Sequence, residues 1–170
     1  YTTDSLTAGL HNFTVRGVDR AGNEGAAASL KVSVDDQSEA PSLALGAGLD
    51  VGTSSTDGLT KNATALVFNG SAEVNARVVL FDDTNNNGLL NPGEEIAEVT
   101  ASTTTGAFSF TGIRLGAGPH LLRAIAFDNA GNASTASEAV EIFIDLQGLN
   151  APTQLSLLPA SDTGLRSDDA

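Results

Sequence analysis

Residues 83–94 read DTNNNGLLNPGE, and their types and spacing suit the binding of a hard cation. Asp83, Asn85 and Asn87 occupy positions 1, 3 and 5 of the run, with Gly88 at 6, Leu89 at 7, Asn91 at 9 and Glu94 at 12. That is the ligand spacing of an EF-hand calcium loop, in which side-chain oxygens alternate, a glycine permits the sharp turn, a backbone carbonyl serves at position 7 and a closing Glu offers two oxygens. The spacing predicts Ca2+ as the cofactor, held by Asp83, Asn85, Asn87, the Leu89 carbonyl, Asn91 and Glu94. The simpler alternative is an Asn/Gly turn between strands. Only Asp83 and Glu94 are charged among these ligands. Low ligand charge places the expected affinity at about 10⁻⁴ to 10⁻³ M, the range of extracellular modules. Such a site fills outside a cell and stays empty in a cytosol.

The flanks that must position this loop are not helical. Residues 76–81 (ARVVLF) and 95–100 (EIAEVT) alternate as strands do, so the loop is expected to cap two β-strands. Composition agrees with an extracellular β-protein. The chain has no Cys, Met or Trp, 18 Gly among 170 residues, and 21 acidic against 8 basic side chains for a net charge of −13. Without cysteine there is no disulfide and no thiol chemistry, which leaves calcium as the expected staple. The acidity disfavours nucleic acids and anionic membranes, both of which select basic patches. Hydrophobic residues make up 41% of the chain, enough to argue for folding over disorder. No apolar run approaches the roughly 20 residues of a membrane span. The start at Tyr1, with neither Met nor a signal peptide, reads as an internal piece of a longer protein.

An internal repeat organises the chain. Gly9, His11, Asp19, Ala21, Gly22 and Asn23 return as Gly118, His120, Asp128, Ala130, Gly131 and Asn132. Asp35 and Gln37 return as Asp145 and Gln147, Ala40-Pro41 as Ala151-Pro152, and Asp50, Gly52 and Asp57 as Asp162, Gly164 and Asp169. A period near 110 residues is the size of a whole domain. The expected organisation is the C-terminal half of one module over 1–37, a complete module over 38–148 and the opening of a third over 149–170. Strands are expected at Ser42–Leu45, Thr64–Phe68, Ala76–Phe81, Glu95–Thr100, Ala107–Thr111, His120–Phe127 and Ala139–Ile144. Period-two alternation turns Val78, Leu80, Phe108, Phe110, Leu122, Ala124, Ala126, Val140, Ile142 and Ile144 inward. Seven strands over about 105 residues fit an all-β, immunoglobulin-like sandwich repeated in tandem, ahead of a jelly roll.

At this point the residues resemble a known family. Residues 41–62 (PSLALGAGLDVGTSSTDGLTKN), Gly70-Ser71-Ala72-Glu73 and Asp128-Asn129-Ala130-Gly131-Asn132 are similar to bacterial immunoglobulin-like repeats of the Bap type. The resemblance implies the extender arrays of large Gram-negative surface adhesins, exported by type I secretion and stiffened by calcium. Two departures stand out: Arg166 replaces the serine found as Ser54 in the complete copy, and the 83–94 loop is an embellishment that many such repeats lack.

Strand order then suggests a second metal site. The Asp50–Asn62 turn, the 83–94 loop and Asp145 are expected at the module's C-terminal pole, and Asp128–Asn132 at the opposite pole against the preceding module. Carboxylates crowded at a joint repel unless a cation bridges them. This predicts an interdomain calcium site drawing on Asp50, Asp57 and Asp145, with Asp128 serving the upstream joint. The alternative is that these residues set turns and accept backbone hydrogen bonds. His11 and His120 stand at the same place in two copies, which suits a structural role over catalysis. The function expected is a non-enzymatic, calcium-rigidified spacer on the bacterial cell surface, whose partners are its neighbouring repeats while other domains bind the surface or host ligand. The competing function is a glycan- or ligand-binding accessory module of a secreted protein or enzyme; it would favour exposed aromatics, yet there is one Tyr and no Trp.

Overall fold

The computed structural model describes residue 2 and residues 4–153; the expected opening of a third module lies, from residue 154 onward, outside the described residues. The architecture is all-β, with no helix among the described residues. The sandwich is built from β3 (Ala44–Leu45), β4 (Leu59–Thr60), β5 (Leu66–Ser71), β6 (Arg77–Asp82), β7 (Glu95–Thr100), β8 (Ala107–Ile113), β9 (Gly118–Phe127) and β10 (Val140–Ile144). Five strands in the order β4-β10-β9-β6-β7 form one sheet and three in the order β3-β5-β8 form the other. This is the Ig-like sandwich the alternation predicts. The seven expected strands are all present, Glu95–Thr100 with the expected bounds and the others with shifted ends; β4, a two-residue strand parallel to β10, is additional. A strand that short has no period to read.

Apolar alternation explains which faces meet. Leu66, Phe68, Val78, Leu80, Phe108, Phe110, Leu122, Ala124, Ala126, Ile142 and Ile144 are buried in one cluster between the sheets, with Val140 half-buried at its edge. Phe108 and Phe110 meet edge-on at 5.5 Å, within the favourable range for aromatic pairs. Thr60 is buried, and its hydroxyl lies 3.2 Å from the Leu49 carbonyl and accepts the amides of Val51 and Asn62, each at 3.1 Å. At Gly70 an added Cβ would sit 2.1 Å from the Ser42 carbonyl, so only glycine lets β5 pass there.

The β1 (Gly9–Val15) and β2 (Ala28–Val34) hairpin precedes the sandwich and repeats the β9–β10 pair. Gly9 pairs Val34 and His11 pairs Val32, as Gly118 pairs Ile144 and His120 pairs Ile142. The following turns also repeat. Asp19 Oδ2 and Asp128 Oδ2 each accept the side-chain amide of the Asn four residues on, Asn23 and Asn132, at 2.8 Å. Gly22 and Gly131 adopt φ of +89° and +94° in these turns.

Candidate metal centre and joint

The loop begins where β6 leaves the sheet. The β6–β7 register slips between Leu80↔Ala97 and Phe81↔Glu95, which bends the strand into residues 83–94. The Asp83 amide donates to the Leu121 carbonyl at 2.9 Å, tying the first loop residue to β9. Asp83 is 1% exposed. Its Oδ1 accepts the Asn87 amide and its Oδ2 the Gly88 amide, both at 2.9 Å, and Gly88 has φ +71° as the turn requires. Arg123 Nε donates to the same Oδ2 at 2.9 Å. Burial raises the Asp83 pKa, but the Gly88 and Asn87 amides and the Arg123 guanidinium outweigh it and leave the carboxyl below its ordinary value.

Glu94 closes the loop from the other side. Its Oε2 accepts the Asn91 amide at 2.9 Å, and its Oε1 accepts the Thr84 hydroxyl at 2.9 Å and the Thr84 amide at 3.2 Å. The Asn91 backbone bond is the largest influence and holds the carboxyl below its ordinary value against the cost of burial. Asn85 Oδ1 accepts the Asn87 amide at 3.1 Å, and Asn87 Oδ1 the Leu89 amide at 2.8 Å. Three expected ligand oxygens gather round one point. Asn87 Oδ1, the Leu89 carbonyl and Glu94 Oε2 lie 3.2, 3.0 and 3.1 Å from Asn91 Nδ2. An amide nitrogen has two hydrogens, so three acceptors exceed what it can satisfy. Oxygens that converge in this way suit a positive centre. The residues fit the cation: Asp83, Asn85, Asn87, the Leu89 carbonyl, Asn91 and Glu94 would hold Ca2+, which would tie the two ends of the loop together electrostatically.

The other acidic candidates are placed as follows. Asp50 Oδ2 accepts the Gly58 amide at 3.0 Å, while its Oδ1 is buried without a hydrogen-bond partner. Asp57 Oδ1 accepts the Leu59 amide at 3.1 Å. Asp57 lines a groove of about 530 Å³ together with Asp82, Asp83 and Asn86, so it faces the start of the 83–94 loop. Asp145 sits at the end of β10, its amide on the Thr60 carbonyl and its Oδ1 accepting the Gln147 amide, both at 2.9 Å. Asp50, Asp57 and Asp145 do not converge with one another. The carboxylates that do converge are Asp35, Glu73 and Asp128, with one oxygen of each within 4.8 Å of the others.

This cluster is assembled at the junction of the hairpin unit and the sandwich. Asp35 follows β2, Glu73 lies in the β5–β6 connection and Asp128 follows β9. Asn132 Nδ2 donates to the Asp35 carbonyl at 3.0 Å, and the Glu39 amide to Glu73 Oε1 at 2.7 Å. Burial raises the Asp128 pKa, but the Asn132 side-chain and backbone donors prevail and lower it. None of the three carboxylates has a basic partner among the described residues. The sequence points to Asp128 for this upstream joint but not to Asp35 or Glu73. The signal for Asp35 was available, because it is the repeat counterpart of Asp145. No repeat counterpart of Glu73 falls within the chain, and only its place in the Gly70–Glu73 segment marked it.

His120 belongs to the frame of the loop. Its Nδ1 lies 2.6 Å from Asp82 Oδ2 and its Nε2 lies 3.1 Å from the Gly116 carbonyl. His11 repeats the second contact with the Thr7 carbonyl at 2.7 Å.

A family model for the bacterial Ig-like domain matches residues 37–146. The chain belongs to this family. Among solved structures, this Ig-like chain is similar to one described as "Structures of Clostridium thermocellum CbhA fibronectin(III)-like modules". The identity is 19% and the TM-score 0.40, with 86% of this chain and 70% of that chain covered. No curated protein matches the Ig-like chain in sequence. Domains of this fold are generally non-catalytic, and no helix among the described residues is long and apolar enough to cross a membrane.

Proposed function

We propose that the chain is a calcium-rigidified extender segment of a large extracellular bacterial adhesin, in which tandem Ig-like modules project a terminal binding domain from the cell surface. The reading is non-catalytic and gives calcium two places, the 83–94 loop within a module and the joint between modules. One observation carries it: Asp35, Glu73 and Asp128 come together from a linker and two loops with no basic partner among the described residues. Three carboxylates in such proximity repel, and a divalent cation among them turns repulsion into a tie between successive modules. The repeat extends the same logic downstream, since Asp145 ends β10 as Asp35 ends β2 and accepts the same local bond from the residue two positions on. The light charge of the loop suits millimolar calcium outside a cell, so the array would stay flexible before export and stiffen after it.

The test is solution scattering on a chain extended to two complete modules, in chelator and in millimolar calcium. The maximum dimension is expected to lengthen with calcium in the wild type and to remain short when Asp35→Asn, Glu73→Gln and Asp128→Asn are combined. Equal dimensions in both media would remove the joint as a calcium switch. An Asp50→Ala/Asp57→Ala variant is expected to stiffen as the wild type does, because those side chains are engaged by Gly58 and Leu59 away from the cluster.

A further inference from the structure

The 83–94 loop is tied to a fixed positive charge. Arg123 lies in β9 between Leu122 and Ala124, both wholly buried in the core, so its side chain leaves on the opposite face of the sheet. There it pairs in register with Phe81, two residues before the loop begins. Its Nε donates to Asp83 Oδ2 at 2.9 Å and its Nη1 to the Ser137 carbonyl at 3.0 Å. The Asp83 side chain is fully shielded from solvent and that of Arg123 is 19% exposed, so this pair is screened far less than a surface ion pair. The strand position does not itself call for arginine, because Thr14 stands there in the other copy, where its hydroxyl contacts Ser29 at 3.4 Å. Ser137 is in turn fixed to β9, its hydroxyl accepting the Ala124 amide at 3.0 Å. The guanidinium is therefore held on both sides, by the Asp83 carboxylate and by the Ser137 carbonyl.

We propose that Arg123 is the residue that sets the calcium affinity of the loop. It acts as a built-in counter-cation to Asp83, holding the loop closed without metal and opposing the charge of the metal when it binds. The proposal rests on the reading of residues 83–94 as a calcium site. A buried carboxylate needs a positive partner, and here two are offered, one covalently attached and one exchangeable. Each weakens the other, and the coupling is reciprocal: whatever Arg123 contributes to the metal-free loop reappears as lost calcium affinity. The consequence is a loop that stays folded in low calcium and binds weakly. A loop without such an arginine would bind tightly but open in the metal-free chain.

The experiment uses the full chain as wild type, Arg123→Met, Arg123→Gln, Arg123→Lys and Glu94→Gln. Calcium is titrated calorimetrically, and the thermal midpoint is recorded in chelator and in calcium. Glu94→Gln identifies the heat that belongs to the loop. Arg123→Met is expected to bind calcium at the loop about tenfold more tightly, within the usual range of such couplings, to melt earlier than wild type in chelator, and to recover most of that loss in calcium. Arg123→Lys keeps the charge and is expected to bind close to the wild-type affinity. Folding of Arg123→Met in calcium alone supports the proposal. If that variant folds in neither medium, the same reading is taken from Arg123→Gln, which retains an N–H donor. Unchanged or weaker loop affinity in the neutral variants, with equal loss of midpoint in both media, overturns the proposal and leaves Arg123 a packing residue. If Glu94→Gln removes no calcium heat from the wild type, the calcium reading of the loop fails instead.

Discussion

The 83–94 loop and the Asp35–Glu73–Asp128 cluster gather carboxylates by opposite means. The loop draws its oxygens from twelve consecutive residues, satisfies them with its own amides, and balances its buried Asp83 with Arg123. The joint draws on residues far apart in the chain and brings no basic side chain, among the described residues, to meet them. A site closed within one connection can hold its shape without metal, whereas a site made by docking two units brings carboxylates together with no basic side chain, among the described residues, beside them. The difference teaches where calcium should act: on affinity at the loop, and on geometry at the joint.

The sharpest way to break this contrast is to remove the anchor of the loop. Asp83→Ala leaves the Arg123 guanidinium partly buried and unpaired, a change that costs roughly 3–5 kcal/mol. Urea unfolding in chelator is expected to show that loss, while Glu73→Gln at the joint, which keeps an acceptor for the Glu39 amide, leaves the midpoint nearly unchanged. Equal losses would mean that both regions are structural in the same way. Next in size, Glu94→Gln removes one of the two charged ligands and is expected to weaken calcium at the loop by roughly tenfold. Its unfolding midpoint in chelator falls by less than that of Asp83→Ala, because a Gln amide must set its NH2 against the donors of Thr84 or Asn91, and calorimetry paired with a melt reads both.

A smaller effect is expected at Asn91. Its amide nitrogen now faces Asn87 Oδ1, the Leu89 carbonyl and Glu94 Oε2. Asn91→Asp replaces that donor by a charged acceptor, so the metal-free loop loosens while calcium binds several-fold more tightly, as ligand charge dictates. Hydrogen exchange at the loop amides in chelator reads the first change and calorimetry the second. If exchange is unaltered, Asn91 does not hold the metal-free loop together.

The smallest effect is the pH dependence. Asp83 and Glu94 both have folded-state pKa values below their ordinary ones. Depressed carboxyl values stabilise the fold fully above the unfolded-state pKa of about 4, and that contribution fades as pH falls through the lower folded values. Melts in chelator are therefore expected to be flat from pH 5 to 7 in the part due to these groups and to decline below about pH 4. Calcium affinity falls over the same acid range, because the ligands must be deprotonated to bind. A decline centred near neutrality would point to groups other than these carboxylates.

Much of this was legible in the sequence because it is local. The inward positions of Val78, Leu80, Phe108, Phe110 and Leu122 follow from alternation alone, and the loop register follows from spacing within one connection. The shared register of Gly9 with Val34 and of Gly118 with Ile144 was implicit in the repeat. What escaped depends on pairing across the fold. Strand β4 has two residues and exists because β10 runs beside it. Arg123 looks like an outward strand residue until the β6–β9 register sets it beside the loop. Glu73 meets Asp35 and Asp128 only because the linker after β2 docks on the β5–β6 connection, and no spacing in the sequence encodes that meeting.

Calcium at the joint, as proposed, would act through Asp35, Glu73 and Asp128. The most direct measurement places one spin label on the β1–β2 hairpin and one on β8 and records the distance distribution across the joint by pulsed electron resonance, in chelator and in millimolar calcium. A broad distribution is expected in chelator, narrowing to one distance in calcium with half-maximal change near millimolar, as for extracellular calcium modules. The Asp35→Asn/Glu73→Gln/Asp128→Asn chain is expected to stay broad in both media while Glu94→Gln narrows as the wild type does. A distribution equally narrow with and without calcium, or narrowing that survives the triple substitution, would show that these carboxylates do not bind calcium across the joint.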